Sequence, residues 1–418
     1  MPSTLLIWNI QNFTSNKILP GLGAVPKFDI QGRQVKLIDK NQFRLHYIVR
    51  NISATNPDII VVIETISGQG VKGSLITGAG SVGALALLEA IRQAQGNQNW
   101  MLVPPLKLVD SLQVQEMEDD DTGELNSELL KEGAYTEGIS VYFNSSKLSF
   151  LGPYVWPDSA RVPRTYPNGD PRKVAVAQAA FTQDYPPPWN TLPPGNHRAG
   201  QYEYFVNIEN QRREVLFPGL GSRRPFYTKF QEAGTNRIIS LVSLHFPPQA
   251  PSAKAALWRL TRYFGRIYQI AQNEVILLAG DYNIDYLAEK GSDHDCLGSI
   301  RVNGFEPLLT RETVSTSTIY RTVKAHATAT NYLGNKGLDN VAVRYGSQQA
   351  RHPRNLAILN RVIDSPDFKA LMLTPLPEIL KLKEPEQTQC FLFPQNYGFL
   401  GPIKNTGTSD HLAIALQF

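Results

Sequence analysis

The feature that most constrains this chain is a set of short, β-branched apolar runs spread along its length. They read LLIWNI (5–10), DIIVVIE (58–64), GISVYF (138–143), IISLVSLHF (238–246), VILLAGD (275–281), LDNVAV (338–343) and HLAIALQF (411–418). Runs of this kind are strands, several of them buried on both faces. Helical patterns lie between them: FRLHYIVRNISA before the second run, ALALLEAIRQAQ after it, and KAALWRLTRYFGRIYQIAQ before VILLAGD. Strands and helices alternating in this way predict an α/β architecture.

The 418 residues could build one large or two modest domains. The reading adopted is a single domain over 1–418 with insertions at about 116–132, 153–222 and 344–408. The first ten residues carry no basic leader, and no apolar run approaches about 18 residues, so the expectation is a cytoplasmic protein without a membrane span. Two cysteines, Cys296 and Cys390, exclude a disulfide framework and a cysteine metal site. A formal charge of +4 does not by itself announce nucleic acid. Oligomeric state is not readable from the sequence.

The insertions differ in chemistry. Residues 116–132, EMEDDDTGELNSELLKE, read most simply as a solvated acidic loop, with a cation site as the alternative. The prolines of 153–194 disfavour a regular helix or a central strand there. Residues 155–240 hold eleven Lys/Arg against seven Asp/Glu, an excess of four that equals the charge of the whole chain. Aromatics such as Trp156, Tyr166, Trp189 and Tyr204 are interleaved with them, a mixture suited to phosphates carrying stackable bases. The same residues would also suit a loop that packs its aromatics on the body. In 344–408 the stretch NLAILNRVI is expected to be helical.

Two motifs are set aside. Gly78-Ala79-Gly80-Ser81-Val82-Gly83 fits a dinucleotide fingerprint, but VKGSLIT before it is a weak strand and no acid follows near 98–104, so a turn and helix entry are expected. Ser292-Asp293-His294 has no apolar strand beside it and is expected to be a loop.

Polar residues cluster at the ends of the predicted strands: Asn9, Glu64, His245, Asp281 with Asn283, Asp339, and Asp410 with His411. Buried ionisable groups are costly unless paired or metal-bound, so many at strand ends favour convergence on one site. Such a set supplies carboxylates for a hard divalent cation and groups that handle protons, as phosphoryl transfer requires. Alternation along an extended chain would point Asp281 and Asn283 to one side and leave Asp285 beyond the motif.

In the order WNIQNF, DIIVVIET, SLHFPP, GDYN, LDN and SDHLAI, these motifs resemble the endonuclease/exonuclease/phosphatase superfamily, which includes deoxyribonuclease I-like and exonuclease III-like enzymes. The resemblance implies a four-layered α/β sandwich, with two central mixed sheets flanked by helices, and Mg²⁺ or Mn²⁺ at the sheet edge. It implies that Glu64, Asn9 and Asp410 hold the metal, that Asp281 positions or deprotonates water, and that Asn283 donates to phosphate. His411, oriented by Asp339, would contact the scissile phosphate; His245 would be partnered by Glu137, and Arg223 would touch phosphate. Asn340 departs from the His, Arg or Tyr that many members carry after the Asp. The implied activity is a metal-dependent phosphodiesterase, foremost a nuclease on DNA or RNA. The alternatives are a phosphoesterase on a lipid, inositol phosphate or other small phosphate ester, a silent scaffold, and, from the glycine motif alone, an oxidoreductase.

Overall fold

The computed structural model describes residues 3–21, 24–28, 34–67, 75–108, 136–155, 172–176, 202–206, 223, 225–248, 250–288, 296–309, 337–347, 356–358, 411 and 413–418. The N-terminal half contains β1 (Thr4–Phe13), α1 (Ser15–Ile18), β2 (Ala24–Phe28), β3 (Gln34–Asp39), α2 (Lys40–Thr55), β4 (Ile59–Ser67), α3 (Gly78–Gln95) and β5 (Trp100–Val103). Next come β6 (Thr136–Asn144), β7 (Leu148–Val155), β8 (Arg172–Val176), β9 (Tyr202–Val206), β10 (Phe226–Glu232), β11 (Ile238–His245) and α4 (Ala250–Arg262). A π-helical turn (Tyr263–Ile267), β12 (Glu274–Asp281), α5 (Cys296–Val302), β13 (Glu306–Pro307), β14 (Asp339–Tyr345), β15 (Leu356–Ile358) and β16 (Ile414–Gln417) follow.

Two six-stranded sheets carry the structure, ordered β15-β16-β1-β4-β6-β5 and β13-β14-β12-β11-β10-β7. Both are mixed: β1 and β4 are parallel, as are β11 and β12, and the remaining pairs within the two sheets are antiparallel. Each parallel pair is joined by a crossover that contains a helix, α2 in the first and α4 in the second, as parallel pairing demands. β1 and β4 pack face to face on β11 and β12, and the two inner faces join in one apolar core that includes Ile7, Val61, Ile63, Leu241 and Leu277. α2 and α3 cover the first sheet, and α4 turns Ala253, Ala256, Leu257 and Leu260 inward beside the second. The layers are therefore helix, sheet, sheet, helix, the four-layered α/β sandwich expected.

Several elements differ from the sequence reading. LAI within NLAILNRVI is strand β15, not helix, because its backbone completes the edge beyond β16. The helix predicted over 254–272 ends at Arg262 and widens into the π turn; Gly265 there lies against Asn303 so closely that a Cβ would stand 2.8 Å from the asparagine Cβ. β5, β7, β10 and α5 were not anticipated. Pro153 lies in β7, which is an edge strand and tolerates the missing donor.

Two glycines of GAGSVG, Gly80 and Gly83, serve packing. A side chain at Gly80 would overlap the Ile66 carbonyl, and at Gly83 it would stand 2.6 Å from the carbonyl carbon of Thr14. They let α3 sit directly on β4 and α1, and among the described residues an isolated bridge at Leu75 precedes the helix. Residues 116–132 and 292–294 lie outside the described residues, as does most of 155–222.

Candidate active site

Strand register assembles the site. His245 on β11 pairs with Asp281 on β12, and Asp281 pairs with Asp339 on β14, so three ionisable groups stand in a row across the end of the second sheet. One rung earlier, Gly280 takes φ 149°, and a Cβ there would overlap the Leu244 carbonyl oxygen. The first sheet contributes Asn9 from β1, Glu64 from β4 and Glu137 from β6.

Both ladders of β4 break register at this point, between Asn9 and Phe13 and between Val62 and Thr65. Glu64 has φ 64° and Asn12 φ 54°. Among the described residues the other non-glycine positions with positive φ are Asn56, Asn236 and Asn283. Asparagine visits this region readily, whereas glutamate is held there at a cost on the order of 1–3 kcal/mol, the kind of strain that collects at functional sites. The break turns Glu64 towards β1: its Oε2 accepts the Asn12 backbone N–H at 2.8 Å. The Asn9 amide nitrogen donates to Glu64 Oε1 at 3.0 Å and to Asp281 Oδ2 at 2.9 Å, tying the two sheets together.

The two histidines are anchored differently. His411 donates from Nδ1 to Asp339 Oδ2 at 2.8 Å, because a carboxylate can only accept, and its Nε2 stands 3.6 Å from Asp281 Oδ2. Its carbonyl accepts the Trp8 indole N–H at 2.9 Å. His245 is held at both nitrogens: Nδ1 donates to Glu137 Oε1, and Nε2 accepts from Arg223 Nη1. The same Nε2 lies 3.6 Å from Asp281 Oδ2 and 3.8 Å from Glu64 Oε1. Arg223, almost completely buried, also donates to the Phe246 carbonyl at 3.1 Å and pairs with Glu137 Oε2 at 3.6 Å.

Electrostatics decides which ion the donor set fits. Glu64, Glu137, Asp281 and Asp339 crowd one buried region, and Arg223 is the one permanent cation among the contacts described for them. Even two protonated imidazoles would leave negative charge uncompensated, so a divalent cation fits the donor set. The donors are mostly carboxylate oxygens, the class that suits Mg²⁺ or Mn²⁺. Asp281, Asp339 and His411 each offer a ligand atom within 4.8 Å of the others. Glu64 and Asn9 reach the same centre through the Asn9 amide.

The structure brings together Asn9, Glu64, Glu137, Arg223, His245, Asp281, Asp339 and His411. Asp410 lies outside the described residues. Asn283 is adjacent, but alternation does not place it there: β12 ends at Asp281 and Asn283 has φ 49°. Its backbone N–H caps Asp281 Oδ1 at 2.9 Å and its side-chain amide donates to the Phe246 carbonyl at 2.7 Å. Arg223 likewise spends its described contacts on His245, Glu137 and Phe246. Asn340 clips Leu309, giving its amide to the Leu309 carbonyl at 2.9 Å and accepting the Leu309 N–H at 3.1 Å. Asp285 closes a turn by accepting the N–H groups of Leu287 and Gly337. Sequence reasoning passed over Trp8 and Asn12; an asparagine just beyond a strand-end asparagine is the one signal that could have marked the left-handed turn.

No protein-family model matches the sequence, and no curated protein aligns with it. Solved structures do align over almost the whole chain. One is an endonuclease/exonuclease/phosphatase family protein from Leptotrichia buccalis, at 11% identity and TM-score 0.44, covering 99% of this chain and 98% of that one. Another is TDP2 from D. rerio complexed with a single-stranded DNA product, at 8% identity and TM-score 0.42, with coverages of 99% and 98%. A third is a mannosyl-6-phosphatase from Bacteroides thetaiotaomicron, at 10% identity and TM-score 0.42, with the same coverages.

Proposed function

We propose that this protein is a divalent-metal-dependent phosphodiester hydrolase acting on nucleic acid. One observation carries the reading: two imidazoles, each backed by its own carboxylate, present Nε2 to the same Asp281 oxygen at 3.6 Å, beside a strained Glu64. Glu64, Asn9 and Asp410 would hold the metal, with Asp281 and Asp339 in reach, and the ion would supply charge neutralisation at the phosphate.

The protein's own groups divide the remaining work. Asp281, oriented by Asn9 and by the Asn283 N–H, takes the proton of the attacking water as its oxygen bonds to phosphorus. His411, with Nδ1 fixed on Asp339, presents Nε2 to the phosphate and, when protonated, gives its proton to the leaving oxygen. His245 has both ring nitrogens engaged, Nδ1 by Glu137 and Nε2 by Arg223, so it serves as a hydrogen-bonded support rather than the acid. Glu137 holds its tautomer, and Arg223 lends positive charge that a phosphate can share.

A polymeric substrate is favoured by the basic, aromatic stretch 155–240. Its described hairpin pairs Lys173 with Phe205 and Val174 with Tyr204 along β8 and β9. The test is incubation of plasmid, single-stranded DNA and RNA with Mg²⁺ or Mn²⁺, alongside a panel of small phosphate esters. Metal-dependent cleavage of a polymer that disappears in Glu64→Ala and Asp281→Ala is expected. Turnover of small esters alone would replace nucleic acid with a small substrate, and no metal-dependent hydrolysis of any ester would overturn the reading.

A further inference from the structure

The outer face of α4 carries charge of one sign. Between Glu232 and Glu274 the sequence has no acidic residue, yet it holds Lys254, Arg259, Arg262 and Arg266. Surface helices usually mix both signs, and like charges spaced three or four apart on a helix oppose one another by a few tenths of a kcal/mol per pair. The helix dipole accounts for Arg259 and Arg262 in the last turn. It does not account for Lys254 near the start, where an acid would be favoured.

Aromatic surface accompanies the charge. Trp258 is 40% exposed, and the Arg262 guanidinium lies over its ring at 4.9 Å. Lys254, Trp258 and Arg262 follow at intervals of four residues, a stripe with steps of about 6 Å along the axis, and Arg266 stands four residues further on in the π turn. α5 extends the same sign. Asn303, just past α5, bonds Thr261 and Arg266, which brings the end of that helix, with exposed Arg301 and Val302, beside the C-terminal part of the stripe. The helix starts at Ala250, five residues after His245, so the stripe leads away from the site.

We infer that this face is a docking track for single-stranded nucleic acid, an inference that rests on the proposed reading of the site as a nucleic-acid hydrolase. Regularly spaced cations pair with successive phosphates, and an exposed indole offers a stacking platform that accepts any base. An anionic membrane fits less well. The apolar side of α4 is spent on the core, and one tryptophan does not make the broad apolar face that an interfacial helix inserts.

The experiment measures anisotropy of a labelled 20-nucleotide single strand, with EDTA to stop turnover, over a range of salt concentrations. Lys254→Glu with Arg266→Glu is expected to weaken binding at least tenfold. It should also lower the slope of log K against log salt by about 1.4, the value for two lost single-strand phosphate contacts. Trp258→Ala should weaken binding without changing that slope. Lys254→Gln with Arg266→Gln, checked for an unchanged melting profile, keeps the test valid if charge reversal unfolds the chain. Wild-type binding that both charge variants reproduce would overturn the track while leaving the nuclease reading intact. A wild type that neither binds nor cleaves the strand would overturn both, and binding only to phosphatidylserine vesicles would assign the face to a membrane instead.

Discussion

Gly280→Ala tests how the second sheet sets the site. Gly280 sits at φ 149°, and an added Cβ would overlap the Leu244 carbonyl oxygen while standing 2.9 Å from the Leu244 carbonyl carbon and nitrogen. Alanine in so sparsely populated a region costs about 1–3 kcal/mol. Forcing the two backbones apart costs about 1–3 kcal/mol more, as overpacking does. The total, about 2–6 kcal/mol, is a large share of the roughly 5–15 kcal/mol that holds a protein folded. Urea denaturation followed by circular dichroism should show a lower midpoint at unchanged slope. Leu244 and Gly280 form the rung next to His245 and Asp281, so the variant that remains folded at low temperature should also lose turnover at least tenfold. A stability loss under about 1 kcal/mol with full activity would refute the argument that this rung fixes the site.

Three further outcomes are expected. Asp281→Ala should lower kcat by about 10²–10⁴-fold, the range for a lost general base, whereas Asp285→Ala should cost stability with little effect on kcat; equal kcat losses would show that the roles are misassigned. Glu137→Ala leaves Arg223 and His245 buried without their shared carboxylate and should destabilise by about 3–5 kcal/mol in the same denaturation assay, with Glu137→Gln costing less. Burial raises the hydroxyl pKa of both Tyr142 and Tyr282, so their contribution to stability is complete below the unfolded value of 10 and lost as pH rises above it. Unfolding monitored by circular dichroism should therefore steepen above pH 10, by up to about 2.7 kcal/mol per pH unit for two protons.

The strands that carry the site were legible because they are buried on both faces and read as continuous apolar runs ending in a polar residue, as VILLAGD does. β7 and β10 were not, since LSFLGPYV and FYTKFQE mix polar residues into edge or near-edge positions where one face meets less of the core. LAI was mistaken for helix because three residues hold no period, and β16 decides their state. Asn9, Glu64, His245, Asp281 and Asp339 could be named in advance because each lies in or next to such a run. The orientation of Asn283 could not, because it depends on a left-handed residue after the strand and on the Phe246 carbonyl. Arg223 was expected to touch phosphate; its proximity to Glu137 and His245 depends on three segments far apart in sequence.

The hydrogen bond from Trp8 to His411 spans 403 positions of the chain. At about 5–20 residues per second on a ribosome, on the order of 20–80 s separates the synthesis of those two residues. Throughout that interval Asp281 and Asp339 emerge without His411, so the cluster of carboxylates and imidazoles forms only once the last of its members has been added.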